Sequence, residues 1–193
     1  MRENNGFEQM ILDLRKRSIN KSDQGSKFEL LMQKYFLTSS LYSEIYEKVW
    51  LWNEFPYAST HDIGIDLVAK LRGKDEFCAI QCKFYNEANS VSKDDVDTFL
   101  SASGKAFYVD GVMHRFSERI IVSTTDKWSS NAETTIIGQL PPVTRIRLQD
   151  LKDSGIDWDS FTLDKIDDMK VCSKKKERPH QIEAIKAVIN GFK

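Results

Sequence analysis

Residues 64–84 read GIDLVAKLRGKDEFCAIQCKF, and their register decides the fold. They form two short strands around a tight turn. Gly73-Lys74 suits a two-residue hairpin loop, because glycine takes the positive φ required at its first position. Turning there sets Asp66 opposite Gln81, Val68 opposite Ala79 and Lys70 opposite Phe77. Side chains alternate between the faces of a strand. One face of this ribbon is Ile65, Leu67, Ala69 and Leu71 with Cys78, Ile80, Cys82 and Phe84, all apolar and predicted to be buried. The other carries Val68, Phe77 and Ala79 near the turn and gathers Asp66, Gln81 and Lys83 at the open end. A carboxylate, an amide and an ammonium thus converge on one patch with a dry layer behind it.

That trio has a definite chemistry. Carboxylate and amide oxygens suit Mg²⁺, which favours near-octahedral oxygen ligation and keeps several waters. Lys83 lies two residues from Gln81 and so leaves the same face. An ammonium beside the cation's water orients that water or stabilises a developing anion. The combination suits metal-assisted hydrolysis of a phosphodiester. The alternative is an ordinary solvent face of mixed polar residues.

Working outward toward the N-terminus, residues 6–19 carry Phe7, Met10, Ile11 and Leu14 at helical spacing, closed by Arg15, Lys16 and Arg17. Those cations read as a solvated helix end or as a phosphate contact. Asp23 is predicted to cap a second helix over 24–37, whose stripe is Phe28, Leu31, Met32, Tyr35 and Phe36. Glu29 sits about 100° round from Phe28 on the border of that stripe. It is either a surface carboxylate or one that reaches a site at the edge of the core. Residues 40–48 read as a helical turn and Val49–Trp52 as a first strand. His61 and Asp62 precede the hairpin as turn residues or as ligands.

On the other side, Ser92 is predicted to cap a helix that ends near Gly104, with Val96, Phe99, Leu100 and Ser103 inward. Phe107-Tyr108-Val109 and residues 118–124 read as strands, Ser130 as the cap of a helix to Gly138, and Val143, Ile146 and Leu148 as a last strand. The expected class is α/β, a mixed sheet with helices on its faces. Beyond residue 152 the composition turns acidic and then basic (KKKER, 174–178), which reads as a linker over 153–178. Residues 179–193 begin an amphipathic helix that looks truncated, as in the front piece of a longer chain.

Whole-chain properties set further bounds. The net charge of −1 on 193 residues gives no global basic footprint, so any nucleic-acid contact must be local. Three cysteines without a CxxC pair suit a reducing compartment. No apolar run is long enough to span a bilayer and the N-terminus is not a secretory signal, so a cytoplasmic protein is expected.

Gly64-Ile65-Asp66-Leu67 followed by Ala79-Ile80-Gln81-Cys82-Lys83-Phe84 resembles the nuclease core of the PD-(D/E)xK superfamily. The likeness is greatest to its Mrr-like branch, where the second acidic position is Gln in a Q-x-K motif. Phe28-Glu29 resembles the family's first motif, and Val96–Ala102 and Ile120–Ala132 resemble the elements after the ribbon. The resemblance spans 23–148 and implies a restriction-endonuclease-like mixed sheet flanked by helices, with a nuclease domain over 1–152. It implies that Asp66 ligates Mg²⁺, Gln81 gives a side-chain oxygen, Cys82 its backbone carbonyl, and Lys83 acts on the attacking water. Glu29 is implied as an outer or second-metal carboxylate, with Gln33 and Asp62 as alternatives. Gln in place of an acid removes one negative charge, so weaker divalent-metal affinity than in an acidic relative is expected.

Arg178-Pro179-His180-Gln181 with Glu183-Ala184-Ile185 resembles the opening Q motif of superfamily 2 helicase-like ATPases, in which the Gln reads adenine. Gln181 is then an adenine contact in the longer protein. No G-x-x-x-x-G-K-[ST] loop is present, so this stretch alone is not expected to hydrolyse ATP. An Mrr-like nuclease ahead of such a motor resembles the type ISP arrangement of single-chain, ATP-dependent restriction–modification enzymes. The implied partners are DNA, a motor, a methyltransferase using S-adenosylmethionine, a target-recognition domain and, for double-strand cutting, a second nuclease copy. A non-catalytic DNA-binding or docking module on the same fold, and a stand-alone repair or methylation-dependent nuclease, are the alternatives.

Overall fold

The computed structural model describes residues 6–58 and 64–172. Its centre is a five-stranded sheet in the order β1-β2-β3-β6-β7, with β1 Tyr46–Leu51, β2 Leu67–Leu71, β3 Phe77–Lys83, β6 Glu118–Ser123 and β7 Val143–Ile146. The first three pair antiparallel, while β6 and β7 continue parallel from β3, so the sheet is mixed. Helices α1 (Gly6–Arg17), α2 (Lys21–Thr38), α3 (Tyr42–Ile45) and α6 (Leu148–Lys152) contribute to the layer on one face. There the α1 and α2 stripes meet Leu67, Ala69, Cys78, Ile80, Ile120 and Val122. The opposite face carries α4 (Lys93–Ser103), α5 (Ser130–Ile136) and a separate hairpin of β4 (Phe107–Val109) and β5 (Val112–His114).

The hairpin register is the one the sequence predicts, with Val68 opposite Ala79 and Lys70 opposite Phe77. The loop differs. Pairing closes at Leu71 and Glu76, so the connection is four residues, 72–75, and Gly73 takes φ +68 within it. Arg72 is drawn off the ladder toward β1: its N–H donates to Ile45 O at 2.8 Å and its guanidinium to Ser43 O at 2.7 Å. A four-residue loop centred on the same pair keeps the register, so the facing residues are unchanged.

The ribbon is buried on both sides, where one dry face was expected. Val68, Phe77 and Ala79 join the second cluster with Phe99 of α4 and Phe107 of β4. Ile65 joins them too, instead of the Leu67 face, because it lies before the strand begins. At α2 the cap is Asn20, not Asp23: Asn20 accepts the Asp23 N–H at 2.9 Å while the Asp23 carboxylate takes the Ile19 N–H at 2.8 Å. This reciprocal pair starts the helix at Lys21. Ser129, not Ser130, caps α5, and Leu148 opens α6 in place of extending the last strand.

Residues 153–172 lie against the domain. Ile156, Trp158 and Met169 are buried with α1, and the Phe7 and Trp158 rings sit 4.9 Å apart. The remainder of the stretch read as a linker, the basic run 174–178 and the 179–193 helix with Gln181 fall outside the described residues, as do His61 and Asp62. No helix among the described residues is long and apolar enough to cross a membrane.

Candidate active site

The open end of the β2–β3 ribbon collects the predicted groups. Asp66 stands one residue before β2, where its N–H still donates to Ile80 O at 3.0 Å. Past that point the ladder stops, and the side chain takes over. Asp66 Oδ2 accepts the Cys82 N–H at 2.6 Å, so the carboxylate is held against the peptide joining Gln81 and Cys82. Asp66 and the Q-x-K segment therefore meet through a direct hydrogen bond.

Gln81 is 3% exposed. Its Nε2 donates to Gly64 O at 3.0 Å, and that bond fixes which way the amide faces. The other end, Oε1, is buried without a hydrogen-bond partner among the described residues. An unmet acceptor of this kind costs about 1–3 kcal/mol. Its presence two residues from Lys83 is therefore informative.

Lys83 is held by a residue that local pattern marks only as part of a helix start. Its Nζ lies 3.1 Å from Asp95 Oδ1, with only 21% and 17% of the two side chains exposed. Asp95 also accepts from Tyr85 Oη at 2.9 Å and from Ser92 N and Oγ at 2.9 and 2.7 Å. Burial pushes the Asp95 carboxyl up, but the Ser92 hydrogen bonds and Lys83 outweigh it and hold the group below its ordinary value. Ser92-x-x-Asp95 is legible as a capping box, yet no local pattern reveals that the same carboxylate receives Lys83.

Glu29 of α2 approaches from the opposite layer. The Phe28 and Phe84 rings lie 5.2 Å apart, joining α2 to the end of β3. The Cys82 thiol is pushed well up by burial, then by the charges of Asp66 and Glu29, with Lys83 opposing. Asp66, Glu29 and Lys83 thus all bear on one point of the chain. Of the alternatives to Glu29, Gln33 is committed to structure: its Nε2 donates to Val49 O and to Glu54 Oε2, both at 3.1 Å. Arg15 also supports the site. Its guanidinium sits 5.2 Å over the Phe84 ring and donates to Tyr85 O at 2.8 Å. On the other edge, Thr124 Oγ1 accepts the Tyr85 N–H and donates to Tyr85 O, each at 2.7 Å.

The donor set fits a hard divalent cation. It comprises a fixed carboxylate, an orphaned amide oxygen and a nearby second carboxylate, all oxygen donors. Among the described residues no three of His, Cys, Asp and Glu cluster.

A mixed sheet with a carboxylate, an amide and a lysine at the open end of its central hairpin defines a restriction-endonuclease-like domain. The restriction endonuclease family model Mrr_cat_2 matches residues 37–168, more than half of the chain, and the chain belongs to that family. Asp66, Gln81, Lys83 and Asp95 fall inside the match and Glu29 precedes it. Among solved structures, the chain is similar to the ATP-dependent type ISP restriction–modification enzyme LlaBIII bound to DNA, at 33% identity and a TM-score of 0.66. That match covers 95% of this chain and 11% of LlaBIII. MspJI restriction endonuclease in complex with a 27-mer oligonucleotide also matches, at 20% identity, TM-score 0.43, 75% of this chain and 30% of the other. The DNA modification-dependent restriction endonuclease AspBHI matches at 17% identity, TM-score 0.45, 76% of this chain and 34% of the other. None of the curated proteins compared matches the chain.

Proposed function

We propose that this domain is a Mg²⁺-dependent endonuclease that hydrolyses DNA phosphodiester bonds and serves as the cleavage module of an ATP-dependent restriction–modification enzyme. The observation that carries the reading is one short segment that holds the buried Gln81 Oε1, without a partner among the described residues, the Cys82 N–H bonded to Asp66 and the Lys83 ammonium. Asp66, Gln81 and the Cys82 carbonyl would hold the cation, with Glu29 as an outer carboxylate. When bound, Mg²⁺ polarises the phosphoryl oxygen and lowers the pKa of a coordinated water.

The chain's own groups do the rest. Lys83 donates from Nζ toward the attacking water or the phosphoryl oxygen that gains charge. Asp95 limits where that ammonium can stand. Sequence specificity lies outside this domain, which touches DNA mainly through phosphates. The chain spans 11% of the length of LlaBIII. We assign to the longer enzyme a coupling segment over 153–178, a helicase-like motor starting with 179–193, a methyltransferase and a target-recognition domain. ATP and S-adenosylmethionine belong to those parts, and Gln181 is assigned to adenine. Double-strand cutting would use a second copy of the nuclease.

The test is nicking of supercoiled plasmid by the full-length enzyme with ATP and Mg²⁺. Asp66→Ala is expected to leave no nicking while the protein still binds DNA. Undiminished cutting by that variant overturns the assignment.

A further inference from the structure

We propose that Gly64 is the positioning residue that makes position 81 an amide site. The inference rests on the nuclease reading above and deepens it. Charge counting alone says that Glu at 81 would bind a divalent cation more tightly than Gln. The geometry points the other way. One end of the side chain at 81 faces the Gly64 carbonyl at 3.0 Å, and a carbonyl accepts but cannot donate. Gln meets it with N–H and turns its oxygen away from that carbonyl. An ionised Glu has two acceptor oxygens and no donor, so one of them would lie against the Gly64 oxygen.

The backbone here is arranged for this contact. Gly64 takes φ +89, a conformation in which a side chain is strained. A Cβ on Gly64 would also stand 2.9 Å from Thr98 Cγ2 of α4. Helix α4 therefore acts on both ends of the Q-x-K segment. Asp95 receives Lys83, and three residues on, Thr98 lies against the glycine whose carbonyl sets Gln81. The hydrogen bond at the Nε2 end leaves Gln81 Oε1 buried and without a partner among the described residues.

Three measurements on the chain test this, and two of them need no metal. In NMR spectra, one Gln81 side-chain amide proton, assigned by its loss in Gln81→Glu, is expected to exchange with solvent at least tenfold more slowly than those of exposed glutamines. In Gly64→Ala, if folded, that protection is expected to disappear. Denaturant unfolding without metal is expected to shift at least tenfold toward the unfolded state for Gln81→Glu, and less for Gln81→Met, which brings no second acceptor to the carbonyl. In Mg²⁺ titrations, Gln81→Glu is expected to gain less than threefold in affinity. A freely exchanging Gln81 amide, or a Gln81→Glu chain of undiminished stability that binds Mg²⁺ tenfold more tightly, overturns the role of Gly64. Those results would leave the Asp66→Ala nicking test untouched, so the two readings fail separately.

Discussion

The two ends of the β2–β3 ribbon each carry a lysine–carboxylate pair, and the pairs are built for different purposes. At the turn end, Lys70 Nζ reaches Glu47 Oε1 at 3.0 Å, with a third of each side chain open to water. Glu47 takes one further, long hydrogen bond, from the Gly73 N–H at 3.4 Å, and screening leaves such a pair little influence. At the open end, Lys83 meets Asp95 at 3.1 Å in a drier setting, and Asp95 is simultaneously held by Tyr85 and Ser92. Similar distances therefore carry different consequences. What separates the ends is the number of other groups tied to each carboxylate.

The largest effect separating the ends is on cutting. Lys83→Met is expected to slow DNA nicking by the full-length enzyme roughly 10²–10³-fold, the loss typical of removing one preorganised donor. Lys70→Met at the turn should leave the rate unchanged in the same assay. Equal losses would erase the contrast.

Next comes stability. Asp95→Ala strips partners from Lys83, Tyr85 and Ser92 together, so a loss of about 1–3 kcal/mol in denaturant unfolding is expected. This contribution depends on pH, and its sign is set by the lowered Asp95 value. A depressed carboxyl stabilises the fold above its unfolded value, about 3.9, and loses that contribution as pH falls through the lower folded value. The stability gap between wild type and Asp95→Asn should therefore be full at neutral pH and shrink below about pH 4. A gap that widens in acid would contradict the assignment. The smallest effect belongs to the turn: Glu47→Gln should leave the denaturation midpoint where it was.

The contrast also explains how far the sequence could be read. The register was legible because Gly73-Lys74 is the centre of symmetry of the ribbon, and a loop of two or four residues about it pairs the same partners. The loop length was hidden because Arg72 bonds to Ser43 and Ile45, across the β1 side. Local alternation showed Leu67, Ala69 and Ile80 as buried. It could not show that Val68, Phe77 and Ala79 are covered as well, since that layer is supplied by Phe99 and Phe107 from later in the chain. At the site, Asp66, Gln81 and Lys83 were visible as three residues of one face. The bonds that orient them were not, because Asp95 serves two structures at once and Gly64 acts through its backbone.

The Asp66 carboxylate replaces a missing rung of the sheet by capturing the Cys82 peptide. Under the proposed role, deleting that side chain to abolish cutting would also loosen the strand that carries it. Asn at 66 keeps a carbonyl oxygen for the Cys82 N–H while giving up the charge. A pair of substitutions at this one position can therefore separate the architectural share of Asp66 from the chemical share proposed for it.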